Sequence, residues 1–453
     1  MSQSSTANQE NGAPGLVTLA RGDGLRESAT PGNSIIPGEP FGETRNTIPS
    51  PPPPLARRVI GFVNLAHLID HMFMLIFPTA VLAMEADFGR SYGELLALSL
   101  GGFVAFGAGS LPSGWLGDRW SRRNMLGIFF IGIGVSAILA GLTGSLWTLA
   151  LALTLMGAFA SIYHPVGTAM LTAHAESLGP ETMGREIGLN GVWGNIGVAC
   201  AALVTGALAQ YLSWRFAFIL PGAAAILIGI AFIALVPDHA SPKRKGGMPA
   251  PAVPRHIAIR AFAVLALVGV SGGIVFNAAT IVFPKLFDER LGTLMATPVG
   301  VSMIVFAVYL CGALAQLLIG RLVDRFTLKQ IFLPVAALQA PCLLLAGLLE
   351  SWLLLIPAIG VMFAIFGQVT INDAMVAKYT SDTWRARAYS LRYLLSFGAS
   401  ALAVPLIALV YEAGGGFPTL FSVLAVLGFS IFLGAVVFPN RREDVEHPSV
   451  ANA

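Results

Sequence analysis

"NLAHLIDHMFMLIFPTAV", Asn64 to Val81, is the stretch on which the reading of the fold turns. Its length and apolar content suit a helix crossing about 30 Å of hydrocarbon. Yet it carries His67, Asp70 and His71 close together. On a helix advancing about 100° per residue, with His67 set at 0°, His71 falls at about 40°, Asn64 at about 60° and Asp70 at about 300°. The polar groups therefore share one face of about 120°. Phe62, Leu65, Phe73 and Ile76 occupy the remaining circumference. An ionised carboxylate facing lipid costs about 2.5–3.5 kcal/mol even on the lenient insertion scale. The polar face must look inward, toward protein or a wet cavity.

The rest of the chain has the same solvent. Of 453 residues, 55% are hydrophobic and only 11% charged, where a soluble domain carries about 25% charge. Mean hydropathy is +0.74. Apolar runs of about 20 residues recur between Val59 and Phe438, and Gly, Pro and charged clusters divide them into about twelve spans. A β-barrel would show alternating segments of about 10 residues, which are absent, and an open sheet in lipid leaves its edges unsatisfied. The expected class is an all-α membrane protein. Cys200, Cys311 and Cys342 lie far apart in apolar segments with no metal spacing, as buried small hydrophobes do.

Residues 1–56 hold no apolar signal-peptide core and end near "PSPPPP", which predicts a disordered cytoplasmic tail. Lys and Arg cluster in alternate connections, including "GDRWSRR", "PKRKGG" and "GRLVDRFTLK". By the positive-inside rule both termini are expected in the cytoplasm. The expected location is the bacterial inner (plasma) membrane, with the lipid bilayer as a partner. The longest polar connection separates six spans from six. The expected organisation is an N-terminal half at 57–236, a cytoplasmic linker at 237–258, a C-terminal half at 259–438 and a cytoplasmic tail at 439–453. The halves match at one constant offset: Phe77-Pro78 falls on Phe283-Pro284, His71 on Asn277 and "GWLGDR" from Gly114 on "GRLVDR" from Gly320. Two six-helix pseudo-repeats with a path between them are a transporter architecture.

The loop "GWLGDRWSRRNML", Gly114 to Leu126, resembles the conserved loop between helices 2 and 3 of the major facilitator superfamily, whose pattern is G-x-L-x-D-R-x-G-R-[RK]. Gly114, Leu116, Asp118, Arg119, Arg122 and Arg123 match, and Ser121 stands where the pattern has glycine. Gly320, Leu322, Asp324 and Arg325 repeat the match in the second half. The resemblance implies the major facilitator fold, with spans 1, 4, 7 and 10 lining a cavity and the two loops acting as intracellular gates. Asp118 is expected to latch onto the start of span 11, near Arg385 and Arg387. A narrower likeness in "AHLIDH", "SIYHPVG" and "GNIG" is to the fosmidomycin-resistance branch of drug exporters. Val166 stands where that branch tends to carry Glu.

These readings assign Asp70, with His67 and His71, to proton coupling. A carboxyl between desolvation and a cationic neighbour can exchange a proton near the working pH. Helix geometry makes His67, at i−3, the expected direct partner of Asp70. Asn64, Tyr163, His164, Asn190, Trp193, Asn277, Asn372, Asp373 and Arg392 are the candidate cavity residues. Trp193 is the aromatic group expected to meet a ring-bearing substrate. The expected function is proton-coupled efflux of a small organic molecule by alternating access. Alternatives are uptake of an organic anion read by Arg392, a divalent metal-ion carrier using His67, His71 and Asp70, and a transport-dead scaffold or sensor. No ATP-binding P-loop is present, so no cofactor is expected and the proton gradient supplies the energy. The G-x-S-x-G strings at Gly89–Gly93 and Gly269–Gly273 fall in a short connection between spans and inside a span, not at a strand-to-helix turn, so no positioned nucleophile accompanies the histidines and an enzyme is not expected. Nor is a nucleic-acid partner, and the chain is read as a monomer.

Overall fold

In a computed structural model, the described residues are 53–179, 182–238, 255–295, 297–323, 325–380 and 382–439. Most of the tail read at 1–56, linker residues 239–254, all but the first residue of the tail at 439–453, and Asp324 lie outside them. All regular structure among the described residues is helical.

Among the described residues, twelve helices are long and apolar enough to cross a membrane. They are α1 (Pro53–Phe88), α2 (Tyr92–Arg119), α3 (Arg122–Leu142), α4 (Leu146–Leu178), α5 (Thr182–Tyr211), α6 (Trp214–Leu235), α7 (His256–Leu291), α8 (Pro298–Val323), α9 (Leu328–Leu348), α10 (Ser351–Tyr379), α11 (Leu391–Glu412) and α12 (Gly416–Val437). Local chemistry sets their ends. Ser121 caps α3 by accepting from the Asn124 N–H at 3.1 Å. Thr327 and Gln330 form a capping box at the start of α9. α1 starts at Pro53, inside the stretch read as tail, because a proline in the first turn has no N–H to lose. Residues 255–258, read as linker, are likewise already helical. Within α4, Tyr163–Gly167 forms a single π-type turn. Pro165 lacks the N–H that an α-turn needs there, and the wider turn accommodates it.

Packing repeats between the halves. α1 packs on α5, α2 on α4 and α3 on α6; α7 packs on α11, α8 on α10 and α9 on α12. The sets meet where α2 contacts α11 and α5 contacts α8. This is the pseudo-twofold arrangement that the sequence offset implies.

Close packing in lipid relies on small residues. The α2–α4 crossing is the tightest instance: a Cβ added to Gly157 would lie 2.0 Å from the backbone oxygen of Gly102. Gly157→Leu is therefore expected to lose about 3 kcal/mol or more of stability, the upper range for overpacking. The measurement is thermal unfolding in detergent. Gly144→Ala serves as the control, since nothing lies within 4 Å of that Cβ.

The bundle has two distinguishable ends. The α2–α3 connection and the starts of α5 and α9 mark the loop end. The α1–α2 connection and the ends of α7 and α11 mark the opposite end.

Candidate functional site

A cavity of about 830 Å³ separates the two halves, walled by residues of both. It reaches Gly184 and Arg185 at the start of α5 and Gly320 and Arg321 near the end of α8, all at the loop end. Toward the opposite end it stops at the level of Met74, Leu75, Thr280 and Ser400. Beyond that level the halves touch. Lys285 Nζ lies 3.1 Å from Glu85 Oε1 across the halves and 3.5 Å from Glu289 Oε1 on its own helix. Ser91 bonds Glu412, and the Tyr92 and Tyr411 rings pack with centroids 5.4 Å apart.

His67, His71 and His164 line this cavity. The Asn190 carbonyl can only accept, so His67 Nδ1, 2.7 Å away, donates to it. That assignment leaves His67 Nε2 as an acceptor, and His71 Nε2, 3.1 Å away, donates to it. Two features place the His67 ring. Gly194 leaves it room, since a Cβ there would lie 2.6 Å from the ring. Tyr163 stacks on it with centroids 4.7 Å apart.

Asp70 sits just behind the lining with no exposed surface. Neither of its carboxylate oxygens accepts a hydrogen bond from the described residues, although His164 Nε2 comes to 3.4 Å of Oδ2. This corrects the expected partner: Asp70 faces His164 of α4, while the Asn190 carbonyl turns His67 toward α5. The i−3 spacing brought two side chains within reach but could not say which neighbouring helix would claim each. A bare carboxylate without hydrogen bonds in such a place costs several kcal/mol. A proton on Asp70, or a cationic His164, removes that cost.

Asn64 and Tyr163 do not line the cavity. They stand behind it and are tied to Asn190, whose Oδ1 accepts from the Tyr163 hydroxyl at 2.9 Å and whose Nδ2 donates to Asn64 Oδ1 at 2.9 Å. Asn190→Ala would leave two buried polar groups without partners. It is expected to cost about 1–3 kcal/mol, read as a lower Tm with the His67 bond to the backbone preserved.

In the second half, Asn277, Asn372, Asp373 and Arg392 all reach the cavity. Asn277 Nδ2 donates to the Ser400 carbonyl at 2.8 Å. Arg392 is not a free cation: it bonds Asp373 Oδ1, and its charge is already answered. Trp193 is not among the lining residues. The rings at the cavity come from elsewhere. Phe397 packs on His164 with centroids 4.7 Å apart, Phe106 on Phe397 at 4.9 Å, and Tyr393 lies parallel to Phe397. Gln316 also lines the cavity and accepts from Asn195 Nδ2 across the halves at 2.6 Å. Sequence reading missed these groups because aromatic and amide residues scattered on apolar helices give no signal until the helices are placed.

At the loop end, Asp118 pairs with Arg122 in its own loop, Oδ1 to Nη2 at 2.6 Å. The side chains of Arg385 and Arg387, its expected latch partners, lie outside the described residues. Arg123 Nε donates to the Val236 carbonyl at 2.9 Å and so satisfies the end of α6. Arg119 lies over the Trp115 ring. Gly114 faces Pro165 of α4, at 3.1 Å from an added Cβ. Gly320 borders the cavity, and Arg325 follows α8, its N–H on the Leu322 carbonyl.

The family model of the Major Facilitator Superfamily matches residues 63–308 and 291–453. The chain belongs to the Major Facilitator Superfamily. Among its relatives is the MFS-type transporter YybF of Bacillus subtilis (strain 168), 24% identical over 71% of this chain and 77% of that protein. The puromycin resistance protein of Streptomyces alboniger is 29% identical over 38% of this chain, a match that covers only 35% of that relative. A crystal structure of a bacterial homolog to the human lysosomal transporter Spinster, inward-facing and unoccupied, superposes with a TM-score of 0.69. It is 15% identical, over 87% of this chain and 99% of the other. The relatives also include the membrane sensor protein UhpC of Escherichia coli (strain K12), 27% identical over 38% of this chain and 39% of that protein, while superfamily members carry small molecules.

Proposed function

We propose that this protein exports a small, ring-bearing organic molecule in exchange for protons, by rocking its two halves about the central cavity. One observation carries the reading. The path between the halves is continuous with the loop end and shut at the other by inter-half contacts through Lys285 and Glu85. A buried carboxyl group, Asp70, stands just behind its wall, beside His164. With the basic loops in the cytoplasm, this is the conformation that loads cargo from inside. Phe106, Phe397 and Tyr393 offer ring faces, while His71, Asn277 and Gln316 offer polar contacts, the mixture that suits an organic molecule with both characters. The puromycin resistance relative favours export over import. The Arg392–Asp373 pair removes the motive for reading an organic anion as the cargo. Asp70 and His164 take and release the proton as the cavity changes sides, and the bacterial inner membrane supplies the gradient.

The test is a screen of aromatic compounds in proteoliposomes with an imposed pH gradient. Flux from the loop side toward the acidic side should accelerate with the gradient and collapse with a protonophore. Flux indifferent to the gradient overturns proton coupling. Accumulation on the loop side under the same gradient overturns export.

A further inference from the structure

Three imidazoles from two helices converge on one point of the cavity wall. We propose that His67, His71 and His164 form a binding site for one divalent transition-metal ion of the borderline class, such as Zn2+, Co2+ or Ni2+. This goes beyond the transport reading and stands or falls independently of it.

The spacing comes first. One ring nitrogen from each histidine lies within 4.8 Å of the other two. A tetrahedral ion with bonds of about 2.0–2.1 Å sets its ligand nitrogens about 3.3 Å apart. The Nε2 atoms of His67 and His71, 3.1 Å apart, already stand near that separation, and His71 ligates through Nε2 once its proton moves from there to Nδ1. His164 completes the set after a side-chain adjustment of under about 2 Å. The i, i+4 pair on α1 supplies two ligands from adjacent turns, and the π-type turn at Tyr163–Gly167 presents the third.

The surroundings have the character of a metal site. Histidines that ligate a metal usually donate their other ring N–H to a carbonyl or carboxylate, which fixes the tautomer. His67 does so to the Asn190 carbonyl at 2.7 Å, leaving the Nε2 lone pair facing the cluster. Next to His164 stands Asp70, whose oxygens accept no hydrogen bond within the described residues. A cation at the three imidazoles would neutralise that buried charge. Without one, three imidazoles beside a hydrogen-bond-poor carboxylate make a costly group to bury. All-imidazole donors select borderline ions over Mg2+ and Ca2+, which prefer oxygen.

All three histidines face the cavity, so a fourth position would remain open to water or to a donor atom of a bound molecule, as in sites with three protein ligands. The three also belong to one half. Binding would therefore tie α1 to α4 without fastening the halves to each other.

The experiment is calorimetric titration of the full-length protein in detergent with Zn2+, with no gradient and no cargo, and a parallel titration with Co2+ followed by visible absorption. One ion per chain should bind, with an affinity that His71→Gln and His164→Gln each weaken by at least 10-fold and together abolish. Asp70→Asn should weaken it by about 10- to 100-fold, the usual effect of losing an outer partner. Tetrahedral Co2+ bands should vanish in the double variant. Thermal unfolding in chelator checks that each variant is folded. If a variant is not folded, X-ray absorption on the Zn2+-loaded wild-type protein decides the matter by counting imidazole ligands. Absence of one-to-one binding, binding undiminished in the folded double variant, or an oxygen-only coordination shell would overturn the proposal. Because a metal on His164 would itself block proton uptake there, flux is measured in chelator: absence of proton-driven flux in the metal-free protein, with metal binding intact, would overturn the transport reading and leave this one standing.

Discussion

Asp70→Asn is expected to abolish proton-driven transport while leaving the protein folded and able to exchange cargo down its own gradient. The argument begins with burial. Asp70 has no exposed surface, and its oxygens accept no hydrogen bond from the described residues. Asparagine has the same shape and no charge, so it resembles the protonated acid and avoids the desolvation cost of the ionised one. Stability should be unchanged or higher. What disappears is the ability to bind a proton on one side and lose it on the other. Uphill flux should fall to the level of protein-free liposomes. Counterflow of labelled cargo needs only the neutral state and should persist. Proteoliposomes prepared with equal amounts of wild type and variant measure both rates, in metal-free buffer. Undiminished uphill flux in the variant would remove Asp70 from the coupling step. Loss of counterflow as well would make Asp70 a structural or cargo-binding group.

The fold was legible in the sequence because lipid imposes a strict rule on it. A chain that must satisfy every backbone group within hydrocarbon has few options, so span number and the repeat offset sufficed to read two six-helix halves. The site was legible in part. Asp70, His67, His71 and His164 stand out because polar groups within apolar spans are costly, and all four converge beside the cavity. Their pairing was not legible. A helical wheel fixes directions around one axis, whereas the choice between His67 and His164 as the neighbour of Asp70 depends on where α4 and α5 lie. The Asn190 carbonyl, a backbone group that no side-chain pattern reveals, decides it. Trp193 failed for the same reason: it shares α5 with Asn190 but is not among the residues that line the cavity. Conversely, Phe106 and Phe397 read as ordinary core residues until α2 and α11 are brought together.

Lys285→Glu is expected to open the end of the bundle that is now shut. Lys285 Nζ stands between Glu85 Oε1 at 3.1 Å and Glu289 Oε1 at 3.5 Å, and it lies over the Tyr92 ring. Its side chain is only 12% exposed, so the pair is screened less than a surface salt bridge and more than a fully buried one. Reversal places three carboxylates together at the junction of α1 and α7. A bias of about 1–3 kcal/mol against closure corresponds to a roughly 5- to 150-fold shift in the open population. A cysteine at Ser400, at the far level of the cavity, in a background lacking Cys200, Cys311 and Cys342, reports the change. Labelling by an impermeant thiol reagent applied at the shut end should rise by that factor in Lys285→Glu. It should return toward wild type when Glu85→Lys is added, because the swap restores one cation between carboxylates. If accessibility does not change on reversal, Lys285 is not the closure. If it stays high in the swap, the closure depends on where the lysine stem sits against Tyr92, and the Tyr92–Tyr411 contact and the Ser91–Glu412 bond become the groups that hold this end.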